Sequence, residues 1–226
     1  MKRVLKQTPV RDVLVTLLLS SIVSLGLLAA RIMVSGSVKF WFLAWNLVLA
    51  WIPLGFAYWL SRRTLKKQYP DWKDIIIGFF WLGFLPNSFY LISDLIHIQS
   101  SGEVSILYDV AMMTSFVLNG LLVGYISLFI VHRVVAKYST EKLAYIFAQV
   151  ILALCSFAIY LGRYLRWNTW DVFVNPAGLL FDVSDRIINP ASHSMTFVVT
   201  GVFFVVLGST YAAIYRLTQV LIAYKS

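Results

Sequence analysis

Six apolar runs, each roughly twenty residues long, recur along the chain, and short basic or polar segments separate them. They lie at about 12–31, 39–60, 74–92, 107–131, 143–164 and 194–216. At about 1.5 Å per residue, a helix of that length crosses the roughly 30 Å hydrocarbon core of a bilayer. Helices satisfy their own backbone hydrogen bonds, which lipid cannot do for them, so each run is predicted to span as a helix. The expected fold is all-α: a polytopic bundle of about six transmembrane helices, with residues 1–226 forming a single integral membrane domain. Composition agrees, with 60% hydrophobic residues, 13% charged residues and a mean hydropathy of +0.79. No repeat is evident, and no linker is long enough to separate domains.

The formal charge of +9 does not indicate nucleic acid, because the basic residues form no basic face and instead cluster between the apolar runs. Their distribution sets an orientation. Lys2, Arg3, Lys6, Arg11, Arg62, Arg63, Lys66, Lys67, Lys73, Arg133, Lys137, Lys142, Arg216 and Lys225 fall on one side, and Arg31, Lys39, Arg163, Arg166 and Arg186 on the other. The positive-inside rule puts the larger group, and with it both termini, in the cytoplasm. Asp94, Glu103, Asp109, Asp171, Asp182 and Asp185 gather outside with His97 and His193, so titratable chemistry is expected there. The first apolar run lacks a clean cleavage site and is expected to remain as an uncleaved helix. Cys155 lies within an apolar run and is expected to be buried. The basic linkers Ser61–Lys73 and His132–Lys142 read as stop-transfer segments that contact headgroups.

Polar residues line up in the outer halves of three runs. If the third run stays helical, Asn87, Tyr90, Asp94 and His97 share a face within roughly 80°. Pro86 removes one N–H there and is expected to bend the helix. In the fourth run Tyr108, Ser115 and Asn119 share a face, with Asp109 at the outer end. The fifth carries Gln149, Ser156, Tyr160, Arg163 and Trp167, with Arg166 about 60° from Arg163, and Asn46 adds a polar group to the second. Such groups cost too much to face lipid, so the third, fourth and fifth runs are expected to turn them toward one polar interior that widens outward. Its mouth would hold Asp94, His97, Asp109, Arg163, Arg166 and Asp171. The competing explanation is structural: Asn, Ser and Tyr glue helices together, and Arg163 pairs with Asp94 or Asp109.

The segment 165–193 is too broken at Asn175-Pro176 and Asn189-Pro190 to cross again, and is predicted to lie at the outer interface, with Trp167 and Trp170 in the headgroup zone. Two arginines one turn apart would hold a phosphate or carboxylate. Asp94 and His97, three residues apart, read as a general base with its orienting partner or as two metal ligands completed by Asp109, Asp171 or His193. That spacing is too common to assign a metal site. No phosphate-binding loop, dinucleotide fingerprint, zinc-protease helix or nucleophile elbow is present, and the cofactor is unknown.

The strings Trp81-Leu82-Gly83-Phe84-Leu85-Pro86-Asn87, Asp94-Leu95-Ile96-His97, Tyr108-Asp109 with Asn119-Gly120, and Gly162-Arg163-Tyr164-Leu165-Arg166-Trp167-Asn168 with Trp170-Asp171 are distinctive. Through them the chain, from about Asn46 to Tyr211, resembles the bacterial integral membrane proteins grouped as domain of unknown function 1361. The resemblance implies a bacterial plasma membrane protein, and no activity, cofactor or catalytic residue comes with it. Three functions fit. The leading one is an outward-opening pocket for an anionic lipid headgroup or lipid-linked cell-envelope substrate. In it Asp94, His97 and Asp109 do the chemistry, and Asn87, Tyr90, Asn119, Arg163, Arg166, Trp167 and Asp171 bind. The others are a small-solute transporter and a non-catalytic subunit whose protein partners are unknown.

Overall fold

The computed structural model describes residues 7–99 and 102–224 of the chain. Lys2, Arg3, Lys6 and Lys225, which entered the orientation argument, lie outside them. Helices run over Gln7–Ser35 (α1), Phe42–Thr64 (α2), Trp72–Tyr90 (α3), Ile106–Tyr138 (α4), Glu141–Tyr164 (α5), Asp171–Val174 (α6), Pro176–Ile188 (α7) and Ser194–Tyr224 (α8). Six of them are long and apolar enough to cross a membrane. No strand occurs among the described residues.

Several helices run past the predicted spans, α8 reaching Tyr224 rather than 216, and two of these ends have a local reason. Beyond Tyr90 the chain tightens into a 3₁₀ helix over Leu91–His97, so the third span runs longer than expected, and α3 continues through Pro86 without interruption. Helix α4 runs on to Tyr138, which places His132 inside a helix and fully buried rather than in a basic linker.

The helices are joined by polar contacts as much as by apolar packing, as expected where lipid supplies no hydrophobic drive between spans. Trp81 donates its indole N–H to Ser127 at 2.9 Å, and Ser88 donates to the Ala50 carbonyl at 2.7 Å. Around these bonds Leu85, Phe89, Tyr125, Leu128, Ile151, Leu152 and Cys155 form a closed core with Leu207 and Tyr211 of α8. Gly120 makes the tightest crossing possible, since a Cβ there would lie 2.6 Å from the Ser88 carbonyl oxygen.

The basic linkers also make contacts within the protein. Asp71 caps α3 in a reciprocal capping box with Asp74, and Arg63 reaches Asp74 at 2.8 Å while Lys67 reaches Asp71 at 2.7 Å. Lys137 of α4 donates to the Lys67 carbonyl at 2.7 Å and also to the Thr64 carbonyl, satisfying acceptors that the end of α2 leaves open. At this basic end the helices are therefore tied together by charge.

Segment 165–193 breaks where the proline signals fall. Asn175 caps α7 by accepting from the Gly178 N–H at 3.1 Å, with Pro176 in the first turn, and Pro190 opens a short 3₁₀ turn. Leu180, Phe181, Ile187 and Ile188 of α7 are exposed, whereas Arg186 turns inward to the Asp182 carbonyl at 2.7 Å.

Candidate functional site

Helices α2 and α5 both pack on α3, one on each side, and between them at the end away from the basic linkers lies a hollow of about 660 Å³. Its floor is α3, from Leu82 to Tyr90. Phe42, Trp45, Asn46 and Leu49 of α2 form one wall, and residues of α5 from Leu154 to Arg163 form the other. Trp167, Asn168, Thr169, Trp170, Val172 and Leu179 roof it.

The 3₁₀ winding explains how Asp94 and His97 come to share the floor. At three residues per turn, side chains three apart eclipse, so Leu91, Asp94 and His97 stack on one face. Asn87 and Tyr90, one turn back on α3, join them.

Arg163, in the last turn of α5, binds this face together. Its Nη2 donates to Asp94 Oδ1 and, at 2.7 Å, to Ser93 Oγ; its Nε reaches Ser93 Oγ at 3.1 Å; its Nη1 donates to His97 Nε2 at 3.0 Å. The guanidinium also lies 4.6 Å above the Tyr90 ring. Asp94, 1% exposed, receives a second bond from Asn46 Nδ2 at 2.9 Å. A guanidinium only donates, so Nε2 of His97 must accept, and the ring carries its proton on Nδ1. His97 and Asp94 are thus bridged by Arg163 and make no direct contact of their own. Phe42 meets the imidazole edge-on at 5.3 Å.

The roof is pinned by polar contacts. Asn87 Nδ2 donates to Thr169 Oγ1 at 2.9 Å, and Trp167 Nε1 to Asp182 Oδ2 at 2.7 Å. Arg186 Nη1 also contacts Asp182, reaching Oδ1 at 3.3 Å.

Of the residues expected at the site, Asn87, Tyr90, Asp94, His97, Arg163 and Trp167 line the hollow. Asp109, Asn119, Arg166 and Asp171 do not. The polar face of α4 turns to α1 instead: Asp109 accepts from Arg31 at 3.0 Å, Asn119 donates to Ser24 at 2.9 Å, and Tyr108 donates to the Leu27 carbonyl at 2.7 Å. The shared interior is therefore built by α2, α3 and α5 rather than by the third, fourth and fifth spans.

Arg166 leaves the helical face because α5 ends at Tyr164 and Arg166 takes φ +61°, which exposes its side chain. The two-arginine clamp is reduced to one. Asp171 accepts from the backbone N–H of Asn168 at 2.6 Å and serves the turn into α6. His193 pairs with Asp185 at 2.7 Å. Among the described residues no three His, Cys, Asp or Glu side chains converge as metal ligands. Sequence reasoning missed Ser93, Thr169 and Phe42; only Ser93, adjacent to Asp94, left a readable signal.

Six apolar spans with a buried polar cluster at one end define a polytopic helical membrane protein. The chain belongs to the family described as protein of unknown function (DUF1361), whose model matches residues 45–208. That stretch holds every residue lining the hollow except Phe42, and omits α1 with Arg31. No curated protein and no solved structure matches the chain.

Proposed function

We propose that this protein is a single integral domain of the bacterial plasma membrane, with its basic end in the cytoplasm, and that its hollow holds an anionic cell-envelope substrate on Arg163. The positive-inside rule supports the orientation, since the linkers around Arg63 and Lys137 carry most of the basic residues. The observation that carries the site is that a guanidinium, a carboxylate and an imidazole meet at one end of a largely apolar hollow.

The Asp94–Arg163 pair is neutral as a whole, so an incoming phosphate or carboxylate would take the Nη1 position now given to His97. Arg163 would keep Asp94 on Nη2, and the released Nε2 of His97 would face the bound substrate as a base or, with the ring proton moved from Nδ1 to Nε2, donate to its anionic oxygen. Asn87 and Tyr90 stand beside it. Transport has less support, because the basic half of the same helices is closed by Ala57, Leu60, Ile77 and Ala148.

One observation favours a purely structural reading: Arg163 already has partners on Nε, Nη1 and Nη2. Thermal unfolding of the full chain in detergent separates the two. On the substrate reading, phosphatidylglycerol raises the unfolding midpoint by several degrees more than phosphatidylcholine, and Arg163→Gln abolishes the difference. Equal shifts from both lipids, or an undiminished difference in the variant, would leave only the structural reading.

A further inference from the structure

We infer that the hollow is filled sideways, from the bilayer, by a lipid of one leaflet, whose phosphate-bearing head sits at Arg163 and whose chain lies along α3 between α2 and α5. The inference rests on the anion reading of Arg163 and adds the ligand's class and its route.

The shape of the hollow is the first argument. Its α5 wall runs from Arg163 to Leu154. Nine residues of helix descend about 14 Å, roughly half of a 30 Å hydrocarbon core. Polar groups occupy only the upper part. Below Asn87 the lining is Leu49, Leu82, Gly83, Leu154, Cys155 and Ala158. A soluble anion would find no partner over that lower length, whereas an acyl chain fits it.

The second argument is the opening. Leu154 stands near the middle of the spanning helix α5 and lines the hollow, yet is 48% exposed, and Trp45 on the opposite wall is 49% exposed. At mid-span the exterior is acyl chain rather than water. At the aqueous end Trp167 and Thr169, held by Asp182 and Asn87, narrow the mouth beside Trp170 and Leu179. Lipid tails are as apolar as leucine, so a chain moving from bilayer to hollow gains little by itself. The hollow lets the head reach Arg163 without drawing the chain through water, and selection falls to the head.

The third argument is space. A Cβ built on Gly83 meets nothing within 4 Å, so the floor of α3 is open where the chain would lie. That glycine provides the test. The full chain, delipidated in detergent, is incubated with phosphatidylglycerol, phosphatidylcholine or inorganic phosphate; retained lipid is read by native mass spectrometry and phosphate by thermal shift.

One phosphatidylglycerol is expected to be retained in preference to phosphatidylcholine. Gly83→Leu, which fills the floor, is expected to weaken retention at least tenfold while leaving the phosphate shift intact. Ala158→Phe, filling from α5, should do the same, and Gly83→Ala should retain lipid, which guards against a variant that merely misfolds. If both filling variants fold and keep the lipid like the wild type, while retention still depends on Arg163, lateral filling is wrong and the anion reading stands. If neither phosphatidylglycerol nor phosphate depends on Arg163, both readings fall.

Discussion

Arg31 of α1 and Asp109 of α4 form an ion pair sealed from solvent: Nε lies 3.0 Å from Oδ1, and the two side chains are 0% and 2% exposed. Glu103 adds a second carboxylate at 3.2 Å, and the Phe40 ring lies 4.5 Å from the guanidinium. Removing one member of a buried pair strands the other charge, which costs about 3–5 kcal/mol. Asp109→Ala leaves the Arg31 cation with only the part-exposed Glu103 carboxylate, so stability is expected to fall by the lower part of that range, read as the free energy of unfolding in a detergent titration. Lipid preference should survive, because this pair lies on the α1 side of α4 and away from the hollow.

The Arg163–Asp94 pair should behave differently. Asp94→Ala also strands a cation and is expected to cost about 3–5 kcal/mol, but here lipid selectivity disappears with it. Combining it with Arg163→Ala should recover part of the lost stability, since the stranded charge is gone. A double-mutant cycle on unfolding free energies measures that coupling, and strict additivity would contradict the contact.

Two glycines should respond with opposite signs. Gly83 is helical with open space around it, so Gly83→Ala is expected to stabilise by about 0.4–1 kcal/mol through the lost flexibility of the unfolded chain. Gly120→Ala drives a methyl into Leu91 and the Ser88 carbonyl and is expected to destabilise by about 1–3 kcal/mol. Paired thermal unfolding curves decide both.

The basic end sets a pH dependence. The hydrogen bond from Lys67 holds the Asp71 carboxyl below its usual range, and the same contact raises the Lys67 ammonium. A depressed carboxyl contributes stability above its unfolded value of about 3.9, and loses it as pH falls through the lowered one. A raised ammonium contributes below its unfolded value of about 10.4, and loses it as pH climbs through the raised one. The unfolding midpoint is thus expected to drop below about pH 4 and above about pH 10. Asp71→Asn should flatten part of both limbs.

The six spans were legible because lipid allows an apolar run of that length little else. Half of the site was legible for a related reason: Asn87, Tyr90, Asp94 and His97 recur at helical spacing, and the tightened winding after Tyr90 kept them together. Periodicity reveals that a face is polar, but not which neighbour it meets. The face of α4 therefore passed for part of the site when it belongs to α1. A partner was visible in Ser24 and Arg31, seven residues apart on the first run and so on nearly one face. Arg166 failed for a different reason, since a single positive φ at a helix end reverses a direction that spacing takes for granted.

The seven tightened residues from Leu91 to His97 give the site a geometric dependence of its own. From Asp94 to His97 a threefold helix advances a full turn, whereas ordinary α winding would advance only about 300°. Rewinding this tip would swing the imidazole about 60° around the axis relative to the carboxylate, taking Nε2 off the guanidinium while every span stayed in place. The pitch of one short tip thus sets whether imidazole and carboxylate can share a single cation.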